Sequence, residues 1–292
     1  MEMADGKLAE THPDYAMLAS LSAALYRYAR GREAFDRQVP RILRQAIDEV
    51  IDAPRTNRFT LSETEKTEKT YLGTKVEILL RNHLQIPKGV HLDLSIEGVE
   101  TDIKNTMGSN WTIPLESHGH PALLIRSKEK TARCDVGLVL VRPEYLNPGA
   151  NRDSKKTLST AGAQNIWWLL RNQPYPPNFW EVLPLTDRQE IMNAGRGTAR
   201  LAALFQKMQR QPISRLQVQA VAQQHDYMKR LRRNGGARDI LSSLGIALLW
   251  GGKDRETISR LGLGELTGDE FISLTPATDE ERRVLRNLRH ID

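Results

Sequence analysis

From Val90 to Lys104 the chain alternates between apolar and polar residues, and this stretch restricts the possible folds more tightly than any other. Leu92, Leu94 and Ile96 are separated by Asp93 and Ser95; after Glu97-Gly98, Val99, Thr101 and Ile103 are separated by Glu100 and Asp102, and Lys104 follows. A period of two belongs to a strand with one buried face, and two such runs joined by a glycine-containing pair predict a hairpin. With Glu97-Gly98 as a two-residue turn, Ile96 faces Val99 and, counting back, Asp93 faces Asp102. Directly opposed side chains have Cβ atoms about 4.5–5.5 Å apart. Two carboxylates that close repel, and one is driven toward protonation. A purely structural sheet avoids such a pair, whereas a divalent cation that prefers hard oxygen ligands, as Mg2+ does, removes the conflict. Lys104 lies two residues beyond Asp102 on the same face, and Ile103 points to the other face, where it can anchor the strand.

Two opposed acids with a lysine beside the second form the pattern of a metal-dependent nuclease. The acids hold Mg2+ against a phosphate, and the lysine orients or helps deprotonate the attacking water. The tripeptide Asp-x-Lys alone carries little information, since it occurs at Asp5/Lys7, Asp102/Lys104 and Asp153/Lys155. Only the middle copy lies in an alternating strand with an acid facing it. The competing reading is an exposed, charged hairpin in which Asp and Lys pair across the surface. Glu77 is a possible third acid, with Gly73 one turn before it clearing that helix face. Its competing reading is an ordinary pair with Arg81 at i, i+4.

The hairpin sits within a mixed α/β pattern. Helix-spaced apolar residues run from Leu18 to Arg30 and from Val39 to Ile51, with Arg27, Arg30, Arg32, Arg37, Arg41 and Arg44 along them, either as a solvated face or facing nucleic acid. Leu72, Val76, Leu79 and Leu80 form a helical stripe that ends before Pro87-Lys88-Gly89. Further strands are expected at 111–115, 121–126 and 135–141, the last apolar enough to be buried on both faces, and a helix at 158–171. Prolines at 174, 176, 177 and 184 mark a linker. Beyond it, helices are expected at 187–210, 216–232, 237–244 and 254–261, with strands at 246–250 and 270–274. The order helix, glycine turn, short helix, strands suggests a winged helix-turn-helix.

With 292 residues, 39% of them hydrophobic, the chain can fill one large core or two ordinary ones. No apolar run is long enough to span a bilayer, and the polar, acidic N-terminus is unlike a signal peptide. The single cysteine, Cys134, excludes an internal disulfide and a Cys-cluster zinc site, so a cytoplasmic protein is expected. The net charge of +6 is concentrated: Arg196 to Arg238 contains ten Lys/Arg and one acid, Asp226. Such a surplus suits the phosphate chain of nucleic acid or a solubilising face.

Several segments together resemble the NaeI-type family of type II restriction endonucleases: KTEKTYLGTKVEI (66–78), the spacing Glu77–Asp93–Asp102–Lys104, WTIPLESHGH (111–120), ANRDSKK (150–156) and VAQQHDYMKRLRRNGGARDIL (221–241). The similarity extends from about residue 46 to about 263. It implies an α+β architecture: a PD-(D/E)xK nuclease domain with a mixed sheet flanked by helices over 1–172, a proline-rich linker at 173–186, and a winged-helix-like second DNA-binding domain over 187–292. It implies catalytic roles for Glu77, Asp93, Asp102 and Lys104, with Mg2+ held by Asp93, Asp102, Glu77 and the carbonyl of Ile103. It also implies a homodimer engaging two copies of a double-stranded DNA site, products with 5′-phosphate and 3′-hydroxyl ends, no membrane partner, and a functionally paired DNA methyltransferase. Ile103 and Asn105-Thr106 depart from the relative's pattern, so identical base readout does not carry over.

Within this frame Lys66 and Lys69 are expected on flanking phosphates, and Lys229, Arg230, Arg232, Arg233 and Arg238 on the second DNA surface. Trp111, His118, His120 and Cys134 are expected to be structural. Two other readings remain open: a nicking or mismatch-repair endonuclease, and a catalytically silent DNA-binding regulator.

Overall fold

The alternating segment forms the edge of the main sheet. In the computed structural model, which describes residues 8–224, 226–288 and 290–291, β1 (Leu94–Ile96) and β2 (Val99–Thr106) pair antiparallel with Ile96 opposite Val99 and Leu94 opposite Thr101. The turn residues Glu97 and Gly98 both have positive φ, 50° and 81°, as a two-residue turn matching the strand twist requires. The next opposed pair in this register is Asp93 and Asp102.

The chain divides into two compact units. One comprises the chain up to Ile51 together with Thr60–Phe179; the other comprises Asp52–Phe59 and the chain from Trp180 onward.

In the first unit β2 runs parallel to its next neighbour, so the chain must cross over between them. The crossover contains β3 (Thr112–Ile113) and leads into β4 (Pro121–Lys128), which pairs with β2 so that Asp102 lies beside Ala122 and Lys104 beside Leu124. β5 (Arg133–Leu140) continues antiparallel, β6 (Lys156–Thr157) pairs with β3, and β7 (Trp167–Pro174) closes the far edge. The result is a mixed five-stranded sheet of order β1-β2-β4-β5-β7.

The helix expected over 158–171 is absent: a single 3-10 turn at Gly162–Asn165 precedes β7. Register shifts opposite Val136 in the β5–β7 pairing let both Leu169 and Leu170 bury, which erases the period-two signal. Gly137 has no side chain where the next strand lies closest, since a Cβ there would sit 2.5 Å from Ile166 and 3.1 Å from Trp168.

Helices α1 (Tyr15–Tyr28) and α2 (Arg32–Ile51) pack together; after α3 (Ala53–Thr56), which belongs to the second unit, α4 (Lys66–Leu84) packs on α2 and reaches β2. α4 buries Leu72, Val76, Leu80 and Leu84, one per turn, so its neighbour Glu77 is carried toward the sheet edge. Arg44, one of the arginines read as solvated or facing nucleic acid, points inward instead. It pairs with Asp48 and Glu129 at 2.8 Å each, and Tyr175 also donates to Glu129.

α5 (Phe179–Val182) begins on the last residue of the first unit, and the second unit contains the rest of it with α6 (Leu185–Asn193), α7 (Thr198–Lys207), β8 (Ile213–Ser214), α8 (Arg215–Ala222), α9 (Tyr227–Leu231), α10 (Ala237–Ser243), β9 (Ala247–Trp250), α11 (Arg255–Arg260), β10 (Glu270–Leu274) and α12 (Asp279–Asn287). Its sheet is antiparallel, of order β8-β10-β9. The long helices expected at 187–210 and 216–232 are each broken. Gly195 and Gly197, at φ +103° and +55°, separate the first pair, and Gln223 in the left-handed region ends α8. α12, which no pattern announced, is capped by Thr278 and buries Leu285 among Ala247, Leu249, Ile272 and Leu274.

Candidate active site

The hairpin brings two acids and a lysine together at the sheet edge. Lys104 Nζ donates to Asp102 Oδ1 at 2.7 Å. Asp93 Oδ2 accepts the backbone N–H of Ile103 at 2.8 Å, and Asp93 and Asp102 share a hydrogen bond. Asp102 is 3% exposed, so its charge exists only because it is heavily partnered. Burial pushes its carboxyl upward, but hydrogen bonds from Asp93, Lys104 and Ser117 outweigh burial and hold it below its usual range. Asp93 takes the opposite course. Burial first, then Asp102 and the more distant charge of Glu77, push it up to about 7. One carboxylate is thus charged and its neighbour is poised to hold the proton, as expected of two closely opposed acids.

Asp93 is positioned by residues that alternation alone did not reveal. Glu100, on β2, accepts the backbone N–H groups of Val90, His91 and Leu92 at 2.8, 3.0 and 2.8 Å, and these bonds hold its carboxyl below the usual range. The loop entering Asp93 is therefore wound around a carboxylate on the next strand. Gly89 permits this, because a Cβ there would lie 2.4 Å from the Leu92 carbonyl oxygen and 2.7 Å from Glu100. Gly89→Ala is expected to displace the loop and cost about 1–3 kcal/mol, measured as a lower denaturation midpoint accompanied by loss of cleavage.

Ser117 was also missed. It is fully buried on the crossover between β2 and β4, and its Oγ donates to Asp102 Oδ2. Its only sequence signal is membership of the 111–120 segment.

Glu77 lies on α4 beside this group. Arg81 donates to it at 3.3 Å, which is the i, i+4 pair the spacing allowed. Its charge reaches Asp93, but among the described residues no three His, Cys, Asp or Glu close on a common point. At Gly73 a Cβ would meet nothing within 4 Å. The groups that do converge are the two carboxylates, hard oxygens of the kind Mg2+ prefers, with the Ile103 N–H on Asp93.

Two of the residues expected to be structural, Trp111 and Cys134, behave as such. Trp111 is buried with its indole N–H on the Ile125 carbonyl at 2.7 Å, and Cys134 is buried, its thiol pushed up to about 12 by burial and by Asp135. Lys66 and Lys69 are exposed at the start of α4; Lys69 reaches the Ser62 carbonyl at 3.3 Å.

In the second unit much of the basic surplus is matched by acids outside the basic stretch. Lys207 pairs with Asp187 and Glu190, Arg210 with Glu281, and Arg215 with Asp269. Arg238, expected on a DNA surface, turns inward to Asp254 at 3.6 Å, and burial lowers its pKa. Lys229 and Arg230 share Asp226 at 3.8 and 3.5 Å. Arg232 and Arg233 are exposed, without an ion-pair partner among the described residues, on the rim of a cleft of about 610 Å³ that Lys253 and Trp250 also line.

No helix among the described residues is long and apolar enough to cross a membrane. Residues 31–282 match the family model described as restriction endonuclease NaeI. The chain is 37% identical over 216 residues to the type II restriction enzyme NaeI of Lentzea aerocolonigenes, an alignment covering 71% of this chain and 68% of that one.

Proposed function

Because the chain belongs to the NaeI family of type II restriction endonucleases, we propose that its DNA-cleaving site is the β1–β2 hairpin and that cleavage depends on Mg2+. The observation that carries this reading is the opposed pair Asp93–Asp102 with Lys104 at 2.7 Å from Asp102.

Asp93, Asp102 and the Ile103 carbonyl would hold the ion, with Glu77 as a third acid, supported by the reach of its charge to Asp93. When bound, Mg2+ supplies positive charge to the phosphate oxygens and to the leaving oxygen. The protein's own groups do the rest. Lys104 orients the attacking water and stabilises its loss of a proton. The Ile103 N–H fixes the Asp93 carboxylate, and Glu100 fixes the loop behind it. In-line attack on a phosphodiester then leaves a 5′-phosphate and a 3′-hydroxyl. On this reading the first unit is a PD-(D/E)xK nuclease domain, with Lys66 and Lys69 on flanking phosphates. Cutting both strands of a short palindrome calls for two such sites, hence a two-fold dimer.

The second unit, with its helices and three-stranded antiparallel sheet, is read as a winged-helix-like domain that binds a second DNA copy and activates cutting. Arg232 and Arg233 are its strongest phosphate candidates, since both are exposed and neither has an acid partner among the described residues. Replacing both with Ala is expected to weaken DNA binding uniformly across sequences and to flatten log K against log salt by about 1.8 units, roughly 0.9 per lost phosphate contact. Filter-binding titrations at several salt concentrations measure this.

The reading as a whole is tested on supercoiled plasmid with Mg2+ and with EDTA. Discrete linear fragments appearing only with Mg2+ support it. Open circles alone would indicate a nicking enzyme, and unchanged DNA with a gel shift would indicate a silent regulator.

A further inference from the structure

We infer that Ser117 is a positioning residue of the nuclease site, its buried hydroxyl setting the Asp102 carboxylate in the orientation that receives the cation. This rests on the metal-site reading above and concerns a residue that neither spacing nor charge singled out.

The crossover that carries Ser117 is pinned along its length. Trp111 is anchored through its indole N–H to Ile125, and Thr112 and Ile113 pair with Thr157 and Lys156. A single 3-10 turn, Leu115–Ser117, follows, with the Ser117 N–H on the Pro114 carbonyl at 3.2 Å and the His118 N–H on the Leu115 carbonyl at 3.0 Å. The exit is tied to Val141, the residue after β5, since Gly119 donates to Val141 at 2.8 Å and Val141 donates back to His120 at 2.9 Å. Within this turn Leu115 is 68% exposed while Ser117 is 0% exposed. The turn thus gives up an apolar side chain to solvent and delivers one hydroxyl inward.

That hydroxyl has one proton, and it is committed to Asp102 Oδ2. The other buried serine of comparable seclusion, Ser273, donates to the main-chain carbonyl of Phe205 at 2.6 Å, the usual structural solution. Ser117 instead meets a side-chain carboxylate of the proposed site. With Lys104 on Oδ1 and Ser117 on Oδ2, both oxygens of Asp102 have a protein donor. Asp93 is a third partner, so of the about four lone-pair sites a carboxylate offers one remains for an ion while rotation about Cβ–Cγ is blocked. Lys104 alone does not block it, because its flexible stem can follow a turning carboxylate.

Removal of such an outer partner costs about ten- to a hundredfold in metal affinity or activity. Ser117→Ala in the full-length chain is therefore expected to raise the Mg2+ concentration for half-maximal cleavage at least about tenfold. Metal-free DNA binding should stay unchanged. The same displacement should appear without DNA, as a higher Mg2+ concentration needed to raise the thermal denaturation midpoint. Ser117→Thr, which keeps the hydroxyl, should restore the Mg2+ requirement toward wild type. If Ser117→Ala does not fold, Ser117→Cys keeps the volume, donates only weakly, and takes its place in both titrations. Mg2+ curves superimposable on wild type in both readouts would overturn the assignment. Asp102→Asn separates the two levels: if it is dead while the Ser117 variants match wild type, only the role of Ser117 falls. If Asp102→Asn also cuts normally, the site reading itself falls.

Discussion

Asp102→Asn should yield a folded protein that binds DNA and cuts it at least about a thousandfold more slowly, a loss of about 4 kcal/mol of transition-state stabilisation. The substitution keeps the shape of the side chain and one acceptor oxygen, so the packing around this 3%-exposed residue survives. What disappears is the one carboxylate of the opposed pair that its surroundings hold charged. Burial works against that charge, and the hydrogen bonds from Asp93, Lys104 and Ser117 overcome it. The Lys104 ammonium loses its anionic partner at the same time, so the water it orients is misplaced as well. A single-turnover assay on a cleavable duplex, alongside a gel shift without metal, measures the two halves of the prediction. Cleavage at the wild-type rate would remove Asp102 from the site.

Asp93→Asn should separate activity from stability in opposite directions. Cleavage should fall at least about a hundredfold, because an oxygen ligand loses its charge. The metal-free protein should nonetheless become more stable above neutral pH. Burial and the neighbouring Asp102 push Asp93 up to about 7 in the folded chain, against about 3.9 when unfolded. Between those values the folded state still holds a proton that the unfolded state has released. The contribution of Asp93 to stability is therefore full below about pH 4, declines as pH rises to about 7, and is gone above that. Discounted for partial solvent screening, the loss is about 1–2 kcal/mol. Asn cannot ionise and avoids it. Thermal melts in EDTA from pH 4 to 8 should therefore show variant and wild type together at the acid end and the variant higher at the alkaline end. Asp48, pushed up to about 6 chiefly by burial, slopes the same way in both proteins and cancels in the difference. A carboxylate whose charge weakens the fold is the cost that the proposed metal-site role of Asp93 would explain.

The parts of this site that could be read from sequence are those fixed by neighbours along the chain. Alternation and a two-residue turn specify a register, and the register alone places Asp93 opposite Asp102 and Lys104 beside it. The Glu77–Arg81 pair was likewise legible as one turn of helix. Ser117 was not, because it reaches Asp102 through the crossover between two parallel strands, and that path depends on where β4 joins the sheet. Glu100 was hidden for a different reason: it occupies a polar position of the alternation, and its three backbone partners lie across the hairpin. β7 was concealed by its own bulge, which buries two consecutive leucines and mimics a helix face. The basic surplus of 196–238 was read without the acids that meet it from beyond its ends, and Arg238 turns out to serve the interior.

The excursion at Asp52–Phe59 sets a limit on dissecting this enzyme. Those eight residues belong with the C-terminal half, where Gln223 donates to the Pro54 carbonyl and Phe59 lies edge-on to Trp180, 5.4 Å between ring centroids. Severing the polypeptide at its proline-rich stretch would therefore produce two incomplete fragments. The leading piece would carry this peptide with its buried Ala53, Pro54 and Phe59 orphaned, and the trailing piece would expose the seat they had filled. The two units cannot be inherited, shuffled or transplanted by a single cut, although on paper the chain reads as two beads on a string.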